Sequence, residues 1–204
     1  MIGVKRFASY LLIGAGAFLL FRGAQEYLES RWGQSAAGRQ FETPEAPAVG
    51  EQGEPPSPPR DGETVAKLVI PRLETQLYVI EGDDTKDLRR GPGHLPGTAM
   101  PGGKGNCVIA GHRDTHFRVL KDIQKGDDIV LETRDGEFLY RVKSTQIVPP
   151  QNTEPIQPTH EAVLNLITCY PFYYVGNAPK RFIVKAELAG ALEASLHAGG
   201  ANTP

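Results

Sequence analysis

The feature that most limits what this chain can fold into is a series of short apolar runs cut apart by Gly, Pro and Asp clusters. The runs are 65–70, 76–80, 106–110, 128–132, 138–148, 163–168 and 181–188. They are rich in Val, Ile, Leu, Phe and Tyr, which suit a pleated, half-buried surface. Between 128–132 and 138–148 lies Thr133-Arg-Asp-Gly-Glu137, whose Asp135-Gly136 is a strong hairpin signal. Helix is expected only in two short pieces, near 84–90 and 158–162. Seven or eight short strands with little helix predict a mainly all-β domain at 63–189, either a closed barrel or a sandwich.

The residues on either side of that domain read differently. The apolar run 7–21 follows Lys5 and Arg6 and precedes Arg22. It falls slightly short of the roughly 20 residues that span a bilayer. Residues 1–4 extend it, and the basic residues can snorkel to the interfaces. A cleaved signal peptide fits the same pattern. However, no small-x-small site directly follows Phe21, and Ser35-Ala36-Ala37 is a weaker candidate. The expectation is an uncleaved transmembrane helix with a juxtamembrane extension over 1–32. The basic residues before it place the chain's start in the cytoplasm and the rest outside the cell membrane. Residues 33–62 are expected to be a flexible linker, because Pro44, Pro47, Pro55, Pro56, Pro58 and Pro59 stand there among few bulky apolar groups. The Ala/Gly-rich tail 190–204 is expected to fray.

Lys and Arg number 22 against 24 Asp and Glu, for a net charge of −2. That balance lacks the basic excess of a nucleic-acid-binding surface, so no nucleic-acid partner is expected. Two cysteines, Cys107 and Cys169, stand without a C-x-x-C, which argues against a zinc ribbon or thioredoxin-like motif.

Three residues of complementary chemistry stand at strand ends. Cys169 closes the run Leu164-Asn-Leu-Ile-Thr-Cys169, and Pro171 stops pairing two residues later. A thiol there sits on a rim, within reach of substrate, although a packed structural cysteine is the plain alternative. His112 follows the strand 106–110 and Gly111. A cysteine nucleophile needs a base, or a cation that stabilises its thiolate. Arg181 opens the last strand, where alternation puts Phe182 and Val184 on one face and Arg181 with Ile183 on the other. A fixed guanidinium can meet a developing oxyanion. Singly, each has a bland reading as a packed or solvated residue, and spacing alone does not make them meet.

These motifs together resemble the sortases, cell-surface cysteine transpeptidases. Gly91-Pro-Gly-His94, Gly111-His-Arg-Asp-Thr115, Thr168-Cys-Tyr-Pro-Phe172 and Tyr174-Val-Gly-Asn-Ala-Pro-Lys-Arg181 are similar to class D. The resemblance covers about 65–188. It implies a closed eight-stranded barrel with short helices, preceded by a membrane anchor. It also implies that Cys169 attacks the carbonyl after Thr in an LPxTG-like sorting signal and forms a thioester. His112 would serve as acid and then base, and Arg181 would hold the oxyanion. The expected partners are surface proteins bearing that signal and an amine acceptor on the envelope or on another protein. No cofactor is expected. No metal site is expected either, since the loop 149–158 offers only Glu154. His94, Thr168 and Asp114 are further candidates for substrate binding. Asn165 departs from the Thr that many relatives carry there, and is expected to tune packing.

Other readings are weaker. A Cys107–Cys169 disulfide conflicts with the pairing of Cys169 and His112. Cys107 lies five residues before His112, about 16 Å away along a strand, whereas a bridge needs Cα atoms within roughly 7 Å. His112 and His116 have the i, i+4 spacing of a zinc pair, but a helix there is doubtful. Leu95-Pro-Gly-Thr-Ala99 looks like a sorting signal, yet it sits mid-domain and reads as a loop. The Ser-His-Gly-Cys setting of an L,D-transpeptidase is absent. A hydrolase that resolves the same thioester with water, and a non-catalytic tethered barrel, remain as alternatives.

Overall fold

The computed structural model describes residues 2–43, 58–174 and 176–192, with side chains except at 2–9, 26, 27 and 192. Eight strands form the body: β1 (Thr64–Ile70), β2 (Thr75–Glu81), β3 (Gly93–His94), β4 (Asn106–Gly111), β5 (Asp128–Thr133), β6 (Gly136–Val148), β7 (Val163–Tyr170) and β8 (Lys180–Leu192). They close into a barrel in the order β1-β2-β3-β4-β7-β8-β6-β5. The eight-stranded barrel is therefore the observed fold. Seven strands coincide with the seven apolar runs. The eighth, β3, has only two residues and lies in the Gly/Pro-rich loop, where no run marks it. Both parallel contacts, β2 with β3 and β4 with β7, join strands through connections longer than a hairpin.

Period-2 alternation divides each strand between core and surface. Leu164 and Leu166 of β7, Cys107 and Ile109 of β4, and Val184 and Ala186 of β8 join Leu68, Ile129, Leu131 and Tyr140 in one core. The Tyr140 hydroxyl accepts a hydrogen bond from the Gly102 amide at 2.8 Å, so its polar end is satisfied inside the barrel. The predicted β5–β6 hairpin forms, with Gly136 at φ 142°.

Helix α2 (Thr85–Arg90) agrees with the expected piece at 84–90, and Asp84 caps it by accepting from the Asp87 amide at 2.8 Å. The second expected helix, 158–162, does not form; a short 3-10 turn, Glu154–Ile156, precedes it instead. The segment's ends are bonded elsewhere, the Gln157 carbonyl accepting from Asn106 Nδ2 and the Ala162 carbonyl from the Leu188 amide. A 3-10 helix at His116–Asp122 was not anticipated.

The long helix α1 (Ile2–Glu42) runs ten residues past the boundary expected at 32/33. Residues 33–42 are thus docked helix rather than linker. The remaining linker residues 44–57 and the tail 193–204 lie outside the described residues, while β8 carries order to Leu192. Among the described residues, no helix is long and apolar enough to cross a membrane. Side chains 2–9, where the expected span begins, fall outside the description.

Small residues let the end of α1 sit close against the barrel: Gly33, Ala37 and Gly38 are buried. Gln34 fixes the register. Its Nε2 donates to the carbonyls of Tyr78 and Arg90, each at 3.0 Å, and its Oε1 accepts from the Tyr78 amide at 2.7 Å. A Cβ at Gly33 would stand 2.6 Å from Arg90 Cα and 2.8 Å from its carbonyl oxygen. Alanine ordinarily stabilises a helix relative to glycine by about 1 kcal/mol. Here the clash is with backbone, so Gly33→Ala is expected to destabilise the docked helix by about 1–3 kcal/mol. Urea unfolding with limited proteolysis of α1 checks this; a rise in stability would show that the helix is not docked.

Candidate active site

The strand order β4-β7-β8 assembles the site. In the parallel β4–β7 pair, Gly111 stands beside Thr168. One residue further on, His112 and Cys169 follow. In the antiparallel β7–β8 pair, Cys169 is directly opposite Arg181. Neighbouring strands lie about 4.8 Å apart. Cys169 and Arg181 thus face each other across β7 and β8, and His112 leaves the end of the neighbouring β4 one residue past Gly111. Alternation puts Cys169 and Arg181 on the outer face, since Leu164, Leu166 and Val184 face the core.

Two features hold these strand ends in register. The buried Thr168 hydroxyl donates to the Gly111 carbonyl at 2.6 Å, tying the ends of β4 and β7. Phe117 packs so tightly under Gly111 that a Cβ there would lie 2.6 Å from its ring. The Phe117 amide also bonds the His112 carbonyl at 3.0 Å. Gly111 is thus required by close approach. Beyond Cys169, the rings of Tyr170, Phe172 and Phe182 pack together with centroids 5.3–6.3 Å apart.

Both cysteines are free thiols. Cys107 faces the core, where burial pushes its thiol up to about 12, whereas Cys169 is partly exposed. Iodoacetamide on the native protein is accordingly expected to label Cys169 and spare Cys107. Mass spectrometry of tryptic peptides checks this, and equal labelling would mean that the core opens readily.

The other candidates fall elsewhere. His94 is 1% exposed. Its Nδ1 meets Glu81 Oε2 at 2.7 Å, and its Nε2 lies 3.1 Å from both the Ala99 carbonyl and Thr98 Oγ1. It braces the 94–99 loop from inside and has no face for substrate. Thr168, also buried, ties β4 to β7 through its hydroxyl. Asp114 is exposed, with its carboxylate on Arg113 Nε at 3.3 Å. His116 begins the 3-10 helix, so it does not share a helix with His112. It is buried, and its Nε2 lies 3.2 Å from Ser30 Oγ of α1. Burial, reinforced by nearby His112, holds His116 below the usual histidine range. Among the described residues, no group of three His, Cys, Asp or Glu could hold a metal ion.

Asn165 anchors a loop on the outer face. Its Nδ2 donates to Asn106 Oδ1 at 2.8 Å, and Asn106 Nδ2 donates to the Pro155 and Gln157 carbonyls at 2.9 Å. A cleft of 310 Å³ beside this loop, lined by Thr98, Lys104, Asn106, Ile156 and Pro158 among others, lies at the far end of β4 and β7 from Cys169. His112, Cys169 and Arg181 are each half-buried.

The sequence reading passed over one residue, Arg113. Only 6% exposed, it sends its guanidinium into the loop 171–179 that leads from β7 to β8. Its signal in the sequence was its place directly after His112 within Gly111-His-Arg-Asp-Thr115.

Comparison with known proteins identifies the family of the domain. The sortase domain family matches residues 68–189, more than half of the chain. Sortase D of Bacillus subtilis (strain 168) is 43% identical over 127 residues, which cover 62% of this chain and 64% of that protein. Sortase SrtE1 of Streptomyces coelicolor is 36% identical over 129 residues, covering 54% of this chain and 37% of its own length. The chain thus spans less than two thirds of the length of these relatives. Among solved structures, a Clostridium perfringens Sortase D5 transpeptidase superposes with a TM-score of 0.64 at 27% identity, covering 79% of this chain and 99% of that one. The catalytic domain of B. anthracis SrtD gives a TM-score of 0.58 at 34% identity, covering 71% and 99%. With this barrel, this strand order and these matches, the chain belongs to the sortase family, with class D sortases among its relatives.

Proposed function

We propose that this protein is a membrane-anchored cysteine transpeptidase that cleaves an LPxTG-like sorting signal after Thr and passes the acyl group to an amine. What supports the reading is that Cys169 pairs with Arg181 between β7 and β8, while His112 directly follows Gly111, the β4 partner of Thr168. Cys169 Sγ, as thiolate, attacks the threonine carbonyl and forms a tetrahedral oxyanion. Arg181, opposite it, balances that charge. Collapse breaks the C–N bond, and His112 gives a proton to the departing amine. The thioester holds the acyl group until an acceptor amine attacks. His112 then takes a proton from the acceptor, and the thiolate leaves.

The anchor is supported by the helix itself. Between Tyr10 and Phe21 the large apolar side chains are 60–77% exposed among the described residues. An apolar surface on all sides of a helix suits a lipid environment. Lys5 and Arg6 before it favour an extracytoplasmic domain.

The test is incubation of the protein with LPxTG- and LPxTA-type peptides and an amine, followed by mass spectrometry. A Cys169 thioester and an amine-joined product are expected. Hydrolysed product alone would make the enzyme a processing hydrolase. No adduct with any such peptide would leave a tethered binding barrel.

A further inference from the structure

We infer that Arg113 is a positioning residue: its guanidinium fixes the 171–179 loop, and through it the alignment of Cys169 and Arg181 with His112. The inference rests on the proposed role of Cys169.

Cys169 and Arg181 stand at the two feet of this loop, just before and just after it. The loop is longer than the two to five residues of a usual hairpin connection, so the strands alone do not define its path. Phe172 packs the loop's start against Tyr170 and Phe182, but the apolar groups that follow hold it less, since Tyr173 is 72% and Tyr174 47% exposed. Arg113 supplies the missing constraint. Nη1 donates to the Pro171 carbonyl at 3.1 Å, and Nη2 donates to the carbonyls of Tyr174 at 2.8 Å and Gly176 at 3.1 Å. Its Cζ also lies 5.7 Å from the centre of the Tyr174 ring. From the residue directly after His112, one planar group therefore reaches three carbonyls 58 to 63 residues away in sequence. Arg181 holds the loop's far end, with Nη1 on the Ala178 and Lys180 carbonyls at 3.4 and 3.1 Å.

The carboxylate on Arg113 belongs to Asp114, whose side chain is 69% exposed and thus well screened. The carbonyls are the guanidinium's main buried partners. A lysine offers a single donor centre and cannot span three acceptors spread along a loop. Arg113 touches none of the reacting atoms in this scheme; it acts through the residues it holds.

Arg113→Lys and Arg113→Gln are compared with the unaltered protein on an LPxTG-type peptide. Expected is a kcat lower by about 100-fold, KM little changed, and a displaced pH profile for iodoacetamide alkylation of Cys169, with Lys no better than Gln. Unchanged kcat and an unchanged alkylation profile in either variant would overturn the inference, as would a loss confined to KM. Should neither variant fold, two glycines inserted between Tyr173 and Tyr174 keep Arg113 but carry the Tyr174 and Gly176 carbonyls away. The same fall in kcat is expected, and full kcat overturns the inference. Absence of a Cys169 adduct in the unaltered protein is a different result: it defeats the proposed function itself.

Discussion

Alanine at Cys169 is expected to abolish peptide cleavage and the thioester adduct together, while the barrel unfolds at nearly the same denaturant concentration. In the proposed scheme the Cys169 thiol is the atom that carries the acyl group. Being partly exposed at a strand end, it contributes little to the core. Alanine at His112 removes the proton carrier and is expected to lower kcat roughly 10²- to 10⁴-fold. The double variant should be no slower than Cys169→Ala alone, because groups that act as one unit do not add. Stopped-flow acylation with intact-mass detection measures both. Residual acylation of Cys169→Ala at a rate near that of the unaltered protein would show that the chemistry lies elsewhere on the barrel.

The second large effect is expected at Arg181. Its place opposite Cys169 is set by backbone pairing of β7 with β8, so the side chain starts from a fixed base. Replacement by glutamine removes the charge that meets the oxyanion and is expected to slow acylation roughly 10²- to 10³-fold. Lysine keeps the charge but loses the planar fork, and should recover only part of the rate. Single-turnover rates separate this from weaker binding. A changed KM with an unchanged acylation rate would make Arg181 a substrate-binding residue and leave the oxyanion without this partner.

Much of this protein was legible locally. The seven main strands could be read because each is a short β-type run closed by its own turn residues, as with Asp135-Gly136 between β5 and β6. Cys169, His112 and Arg181 could be placed at strand ends for the same reason, and alternation put Phe182 and Val184 on one face, which the structure turns to the core. What could not be read was where a side chain finds partners far away along the chain. His94 looked like a groove residue in a Gly/Pro loop, but its place is decided by Glu81 on another strand. Residues 33–42 looked like the start of a linker. They are helix because Gly33 and Gln34 meet Tyr78 and Arg90, contacts that no local pattern announces. The helix expected at 158–162 lost to the pairing that begins at Val163.

Local sequence was enough to put Cys169, His112 and Arg181 at three strand ends, because strand ends are marked by neighbouring residues. That those ends lie side by side on one edge of the barrel follows only from the folded pairing of the strands. That required β4 to pair in parallel with β7, so that Thr168 meets Gly111 across 57 residues, and β8 to return along the other side of β7 in the register that faces Arg181 with Cys169. Barrel closure and register depend on pairing between distant segments, and these follow from how the whole apolar surface is buried rather than from any local run.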